Sequence, residues 1–192
     1  MIDIKTTIGI IAVILGFIGY LPYLRDVIKG KTRPHVYTWF IWGAVTIILY
    51  ALQVSGGAGA GAWVTLLAGL LSLFIFFLGL RNGDKNITNS DTIFFVSALI
   101  ALVLWLVADQ PVISVILLVT VGILGFGPTV RKSWNNPNSE TLSTYFINAI
   151  RHGLSILALA QYSILTWLFP IAWSIANALF ALILVIRRRK TK

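Results

Sequence analysis

Two ten-residue stretches, 106 positions apart, decide how this chain is organised: Gly16-Phe-Ile-Gly19-Tyr-Leu-Pro22-Tyr-Leu-Arg25 and Gly122-Ile-Leu-Gly125-Phe-Gly-Pro128-Thr-Val-Arg131. Both read Gly-x-x-Gly-x-x-Pro-x-x-Arg at the end of an apolar run. The match continues at the same offset, where Thr38, Phe40 and Ile41 meet Thr144, Phe146 and Ile147. At an offset of 110, Ala62-Trp63 meets Ala172-Trp173. Apolar coincidences are common in such a chain, but spaced matches of glycine, proline and arginine are not. The sequence therefore carries an internal repeat.

Working outward, the repeats sit inside hydrophobic runs. Of 192 residues, 58% are hydrophobic and only 11% charged, whereas a soluble domain carries roughly 25% charged residues. Runs near 6–28, 36–54, 60–80, 91–108, 111–131, 142–162 and 164–186 approach the roughly 20 apolar residues that cross a bilayer as helix. The expected fold is an all-α integral membrane protein with seven transmembrane helices. The first run, uncharged from Thr6 to Leu24, exceeds a secretory h-region and lacks a small-residue cleavage signal, so it reads as a retained span.

Charge placement supports this count. Thirteen of the fifteen basic residues fall in alternate connectors or after the last span: Arg25, Lys29, Lys31, Arg33, Arg81, Lys85, Arg131, Lys132, Arg187, Arg188, Arg189, Lys190 and Lys192. Only Lys5 lies on the other face, and Arg151 falls within a span. The positive-inside rule then predicts a multi-pass protein of the cell membrane, N-terminus outside and C-terminus cytoplasmic. The net charge of +9 is explained by topology, with anionic lipid a candidate partner at the basic tail. No nucleic-acid partner is expected.

A unit of three crossings ends on the side opposite its start, so two such units joined directly would be inverted. One additional span restores parallel repeats, a transporter plan that places substrate near the midplane between the units. The expected organisation is 3+1+3: a first three-helix repeat over 1–81, a linker with the fourth helix over 82–109, and a second repeat with the basic tail over 110–192. Small residues allow close helix packing, so the four repeat glycines read as structural. Pro22 and Pro128 each remove a backbone donor and bend a helix near its inner end, as a gate hinge or as fixed packing.

The candidate site lies in the sixth span. Thr144, Asn148, Arg151, His152 and Ser155 fall within one arc of about 100° on a helix, a stripe that should face the bundle interior. Arg151 is ten residues from both Thr141 and Gln161, about 15 Å from each expected helix end. An arginine at the bilayer centre costs roughly 2.5–3.5 kcal/mol even on the most permissive scale. No carboxylate lies deep in any span to compensate it. The corresponding first-half stripe is Thr38, Trp42 and Thr46, beside Trp39, so the halves pair aromatic against cationic surfaces. Such a pair suits a solute with an apolar face and a polar or negative side. His152 is a hydrogen-bonding packer or a proton-coupling group. Trp173 and Asn177 share a face of the last span; Trp63 and Trp173 could instead be interfacial belt residues.

The chain resembles the SWEET and PQ-loop family of small membrane transporters. The resemblance rests on Tyr20-Leu-Pro22-Tyr with Arg25 and Lys29-Gly-Lys31-Thr32, and on Pro128-Thr129 with Arg131, Lys132 and Ser139-Glu140-Thr141-Leu142-Ser143. It departs from the family where Tyr23 and Thr129 replace the glutamine of the Pro-Gln pair, and where Trp42 and Asn148 stand in place of second-helix prolines. The resemblance implies a facilitative transporter of sugars or other small solutes working by alternating access, and it implies a sugar-binding role for Asn177. Leu67 occupies the aligned place in the first half.

Substrate-binding candidates are therefore Asn148, Arg151, His152, Asn177, Trp173, Trp42 and Thr38, with Pro22 and Pro128 as hinges. The alternative is a non-transporting accessory or lipid-interacting module. The absence of cysteine excludes thiol chemistry, and no carboxylate pair or metal-ligand cluster suggests an enzyme. No metal or cofactor is expected, and an oligomer is left open. The Gly56–Gly61 run lies in a connector outside the phosphate-loop context.

Overall fold

The computed structural model describes residues 3–107 and 110–190. Lys192 of the charge pattern and the end of the expected fourth span at 108 lie outside them. Eight α-helices follow in order: α1 (Ile4–Ile28), α2 (Val36–Ser55), α3 (Trp63–Asn82), α4 (Asn89–Val107), α5 (Pro111–Leu124), α6 (Phe126–Asn135), α7 (Leu142–Leu157) and α8 (Ile164–Lys190). Short 3-10 turns occupy Gly59–Ala62 and Pro137–Ser139, and no strand occurs among the described residues.

Among the described residues, five segments are long and apolar enough to cross a membrane: Ile4–Ile28, Val36–Ser55, Gly59–Asn82, Pro111–Asn135 and Ile164–Lys190. The chain is an all-helical, multi-pass membrane protein. The other two expected spans correspond to α4 and to α7, which is shorter than expected. The helix α7 has 16 residues, about 24 Å at the standard rise against roughly 30 Å of hydrocarbon. The expected 142–162 helix stops at Leu157 because the chain folds back there. Ala160 N donates to Ala58 O at 3.0 Å, and Tyr162 Oη donates to Ile156 O at 2.9 Å. Arg151 is thus six residues, about 9 Å, from the nearer helix end, not 15 Å.

Local chemistry sets the boundaries. The Asp3 carboxylate caps α1 by accepting from Thr6 N at 2.6 Å. Gly30 follows α1 at φ +69°, a left-handed conformation that suits glycine. Pro111 opens α5, where a missing N–H goes unnoticed. The two repeat prolines act differently: α1 runs continuously through Pro22, whereas the helix containing Pro128 is interrupted at Gly125 between α5 and α6. A bend is expected at both prolines; only the second half divides into two helical segments, and Gly125 between them keeps helical dihedrals, φ −58° and ψ −20°. A third internal proline, Pro170, lies inside α8.

Six helical segments close a ring: α1 packs on α3, α3 on α2, α2 on α5, α5 on α8, α8 on α7, and α7 back on α1. The helix α4 lies outside it against α5, with lighter contacts to α2 and α6. One end of the ring gathers the basic connectors. There Asp84 N donates to Pro34 O at 2.9 Å, and Lys132 Nζ donates to Arg33 O at 2.5 Å. The basic tail continues α8 as helix through Lys190, and Arg188 Nε donates to Pro137 O at 3.0 Å. At the opposite end Gln53 Nε2 donates to Thr166 O at 3.0 Å.

Candidate functional site: a buried arginine in an aromatic ring

The repeat glycines fix how closely α1 and α5 approach their neighbours. A Cβ on Gly19 would lie 2.5 Å from Ile147 Cγ2, and one on Gly125 would lie 3.2 Å from Ile41 Cγ2. A Cβ on Gly16 would sit 3.1 Å from both Cδ and Nη1 of Arg151, while one on Gly122 would fall 2.0 Å from Trp173 Cη2. The first glycine of each motif therefore makes room for a large side chain of the bundle interior: the guanidinium in one half, an indole in the other.

Arg151 is 1% exposed. Its Nε donates to Asn148 Oδ1 at 2.7 Å, Nη2 to Tyr20 Oη at 3.3 Å and Nη1 to Val64 O at 3.4 Å. The guanidinium carbon stands 5.1 Å from the centroid of the Tyr20 ring, a cation–π distance. These partners are neutral, and two of the three bonds are long. A buried charge ordinarily requires an opposite charge or a full set of hydrogen bonds; this one has a single short bond.

His152 is fully buried and neither ring nitrogen has a hydrogen-bond partner among the described residues. The same holds for Thr65 Oγ1. Buried polar groups are seldom left unpaired, so the unpartnered imidazole that follows Arg151 in α7 is a strong local signature. Thr144 Oγ1, by contrast, donates to Gly19 O at 3.0 Å, and Ser155 Oγ bonds His152 O at 2.8 Å.

The other expected residues are also buried, but they spread around the interior rather than meeting at a point. Trp42 Nε1 donates to Gly122 O at 2.9 Å, the carbonyl of a repeat glycine. Thr129 Oγ1 donates to Thr38 Oγ1 at 3.0 Å. Asn177 Nδ2 donates to Trp173 O within α8 at 2.8 Å. Trp173 is 5% exposed and Trp63 40%, so the interfacial reading is excluded for Trp173.

Aromatic contacts link these positions into a closed circuit. Tyr20 meets Trp39 with centroids 6.3 Å apart, Trp39 meets Trp42 at 5.1 Å, and Trp42 meets Phe126 at 4.4 Å. Phe126 then meets Trp173 at 6.3 Å, Trp173 meets Phe169 at 4.6 Å, and Phe169 meets His152 at 5.5 Å. The circuit returns to Tyr20 through the backbone of α7, where His152 follows Arg151, whose guanidinium lies over the Tyr20 ring. It draws on α1, α2, α6, α7 and α8. Sequence reasoning did not assign Tyr20, Phe126 or Phe169 to the site. The available signal was their spacing: Tyr20 lies four residues after Gly16, Phe126 follows Gly125, and Phe169 precedes Trp173 by four.

Towards the basic end the interior is sealed by a second polar layer. Lys132 Nζ pairs with Glu140 Oε1, and Tyr145 Oη donates to Glu140 Oε2 at 2.8 Å. Trp39 Nε1 donates to Tyr23 Oη at 3.0 Å, with the Tyr23 and Tyr145 rings edge to face at 6.5 Å. Thr141 Oγ1 donates to Asp26 Oδ2 at 3.1 Å, tying the foot of α7 to α1. Nearby, Asp91 receives both Arg131 Nε at 2.7 Å and Nη2 at 2.6 Å. Among the described residues no group of three His, Asp or Glu side chains is placed to hold a metal ion.

No protein-family model, curated protein or solved structure matches this chain. The functional reading therefore rests on the geometry above.

Proposed function

We propose that the chain is a facilitative transporter of a small polar solute, a sugar or small organic anion, with its site at the Arg151 end of the aromatic circuit. One observation carries this reading: among the described residues, a buried guanidinium without a carboxylate partner adjoins in sequence an unpartnered imidazole, walled by tyrosine, tryptophan and phenylalanine rings. A solute hydroxyl or carboxylate would complete the hydrogen bonds of Arg151 and His152. Its apolar face would lie against the rings. Thr38, Trp42, Trp173 and Asn177 belong to the same interior and are read as the walls exposed as the site opens.

We read the ring as two parallel three-helix units with α4 as linker, following the SWEET and PQ-loop resemblance. The motif offset maps α1 onto α5, α2 onto α7 and α3 onto α8. Under that mapping each neighbouring pair in the ring becomes another neighbouring pair, and the Gly19–Ile147 contact becomes Gly125–Ile41. Rocking of one unit against the other would give alternating access. Asp26, Thr141, Lys132 and Glu140 latch the basic side, which the charge rule assigns to the cytoplasm of a cell membrane. The junction of α5 and α6 at Gly125, three residues before Pro128, is the hinge we favour over Pro22.

The test is equilibrium binding followed through tryptophan emission, because Trp39, Trp42 and Trp173 all lie in the circuit. Titrating sugars and small organic acids should give a saturable change for one class. The change should be lost in Arg151→Gln and retained in Trp63→Phe, which removes an exposed indole. A well-folded protein that responds to neither class would favour the non-transporting module.

A further inference from the structure

We propose that the α7–α8 flank holds an anionic phospholipid, with an acyl chain in an apolar groove and the phosphate in a basic cleft continuous with it. The groove is a concavity of about 490 Å³. Its floor is made by the small side chains Ala149, Ala178 and Ala181, between larger walls that include Phe146 and Leu182. It runs from Leu142 to Ile150 along α7 and from Ala178 to Val185 along α8. Seven or eight residues of helix are about 11–12 Å, close to the depth of one leaflet of a roughly 30 Å core.

The groove does not end blindly. Leu142 and Ser143 also line a second cleft of about 470 Å³ at the basic end. That cleft carries three cations, Arg25, Lys31 and Arg188, against two carboxylates, Asp26 and Glu140. Both carboxylates are already engaged, Asp26 by Arg25 and Thr141, and Glu140 by Lys132 and Tyr145. The exposed Lys31 ammonium, in contrast, makes no hydrogen bond or ion pair among the described residues. The exposed Ser143 adds a hydroxyl where the two clefts join.

The occupant follows from this continuity. A lipid-facing groove alone would fit any chain or a second copy of the protein. A groove one leaflet deep that opens on a net-positive cleft at its membrane-surface end is complementary to one amphiphile, an acyl chain bearing a phosphate. Each Lys or Arg near such a surface attracts anionic lipid appreciably. Reversing the charge of Lys31 should therefore weaken binding by about tenfold or more.

The experiment is native mass spectrometry of the full chain in detergent, titrated with phosphatidylglycerol and, separately, phosphatidylcholine. The expected result is one retained phosphatidylglycerol per protein, with phosphatidylcholine about tenfold weaker. Two variants address the two parts. Lys31→Glu alters an exposed charge, and Ala178→Phe fills the groove from an exposed position, so neither disturbs the core. Both should reduce the adduct while the protein remains monodisperse. Equal retention of the two lipids would overturn the proposal. So would a loss confined to Lys31→Glu, which would leave a bare anion cleft, or a wild-type dimer dissociated by Ala178→Phe, which would give the groove to a second copy.

Discussion

At the scale of single residues, the interior is organised by what the repeat glycines leave out. Gly122 illustrates the constraint: an added methyl would coincide with the edge of the buried Trp173 indole, so the ring or helix α5 would have to shift. Overpacking of a tight interior typically costs about 1–3 kcal/mol. Gly122→Ala should therefore lower the thermal midpoint in detergent, whereas Gly153→Ala, whose nearest neighbour would be Ser174 Oγ at 3.6 Å, should leave it nearly unchanged. Equal midpoints for the two would refute the glycine argument. The polar half of the site was legible in the sequence, because Asn148, Arg151 and His152 stand out on one face of an apolar helix. The aromatic half was not. Tyr20, Phe126 and Phe169 sit among apolar residues, where a ring facing the interior and a ring facing lipid look alike. Only helix packing separates the 5% exposure of Trp173 from the 40% of Trp63.

At the scale of elements, connectors do more than join spans. The segment before α2 places His35 in a fully buried position, with Nε2 3.5 Å from Asp91 Oδ2 and no hydrogen bond to either nitrogen. Burial holds its pKa below the ordinary imidazole value; Asp91 and Asp84 oppose the shift and Lys132 adds to it. The folded protein thus keeps His35 neutral where the unfolded chain would take up a proton. Stability is then fully present above about pH 6.5 and is lost as pH falls through the lower folded value. Between pH 7.5 and 5.5 the wild-type midpoint should fall further than that of His35→Gln. Parallel declines would assign the pH response to other groups. Element ends were the least readable feature of the sequence. The apolar run to Tyr162 gives no sign that α7 stops at Leu157, since the stop is imposed by Ala58 and the turn around it. The two Gly-x-x-Gly-x-x-Pro motifs likewise look equivalent, yet only the one at Pro128 accompanies a junction between two helical segments.

At the scale of the whole molecule, the charge pattern and the ring describe the same object. The basic connectors that the sequence assigns to one face do converge at one end of the bundle. Lys132 and Arg188 donate there to backbone carbonyls of neighbouring segments, Lys132 to that of Arg33. The absence of native cysteine makes orientation directly measurable. A single cysteine at Lys85 should react with an impermeant maleimide only in inside-out vesicles, and one at Ser55 only in intact cells. The reverse pattern would invert the topology. The internal repeat was legible because its glycines and prolines are few. The order of helices around the ring was not, because a motif offset matches stretches of sequence and says nothing of which helix faces meet.

The most direct measurement is uptake into liposomes reconstituted with the purified chain, across sugars, amino acids and small organic anions, with Arg151→Ala as the paired variant. The account predicts saturable uptake of one polar class, reduced at least tenfold by the substitution while the variant remains folded. Uptake undiminished in Arg151→Ala would contradict the site, and no uptake of any solute by folded wild-type protein would contradict transport itself.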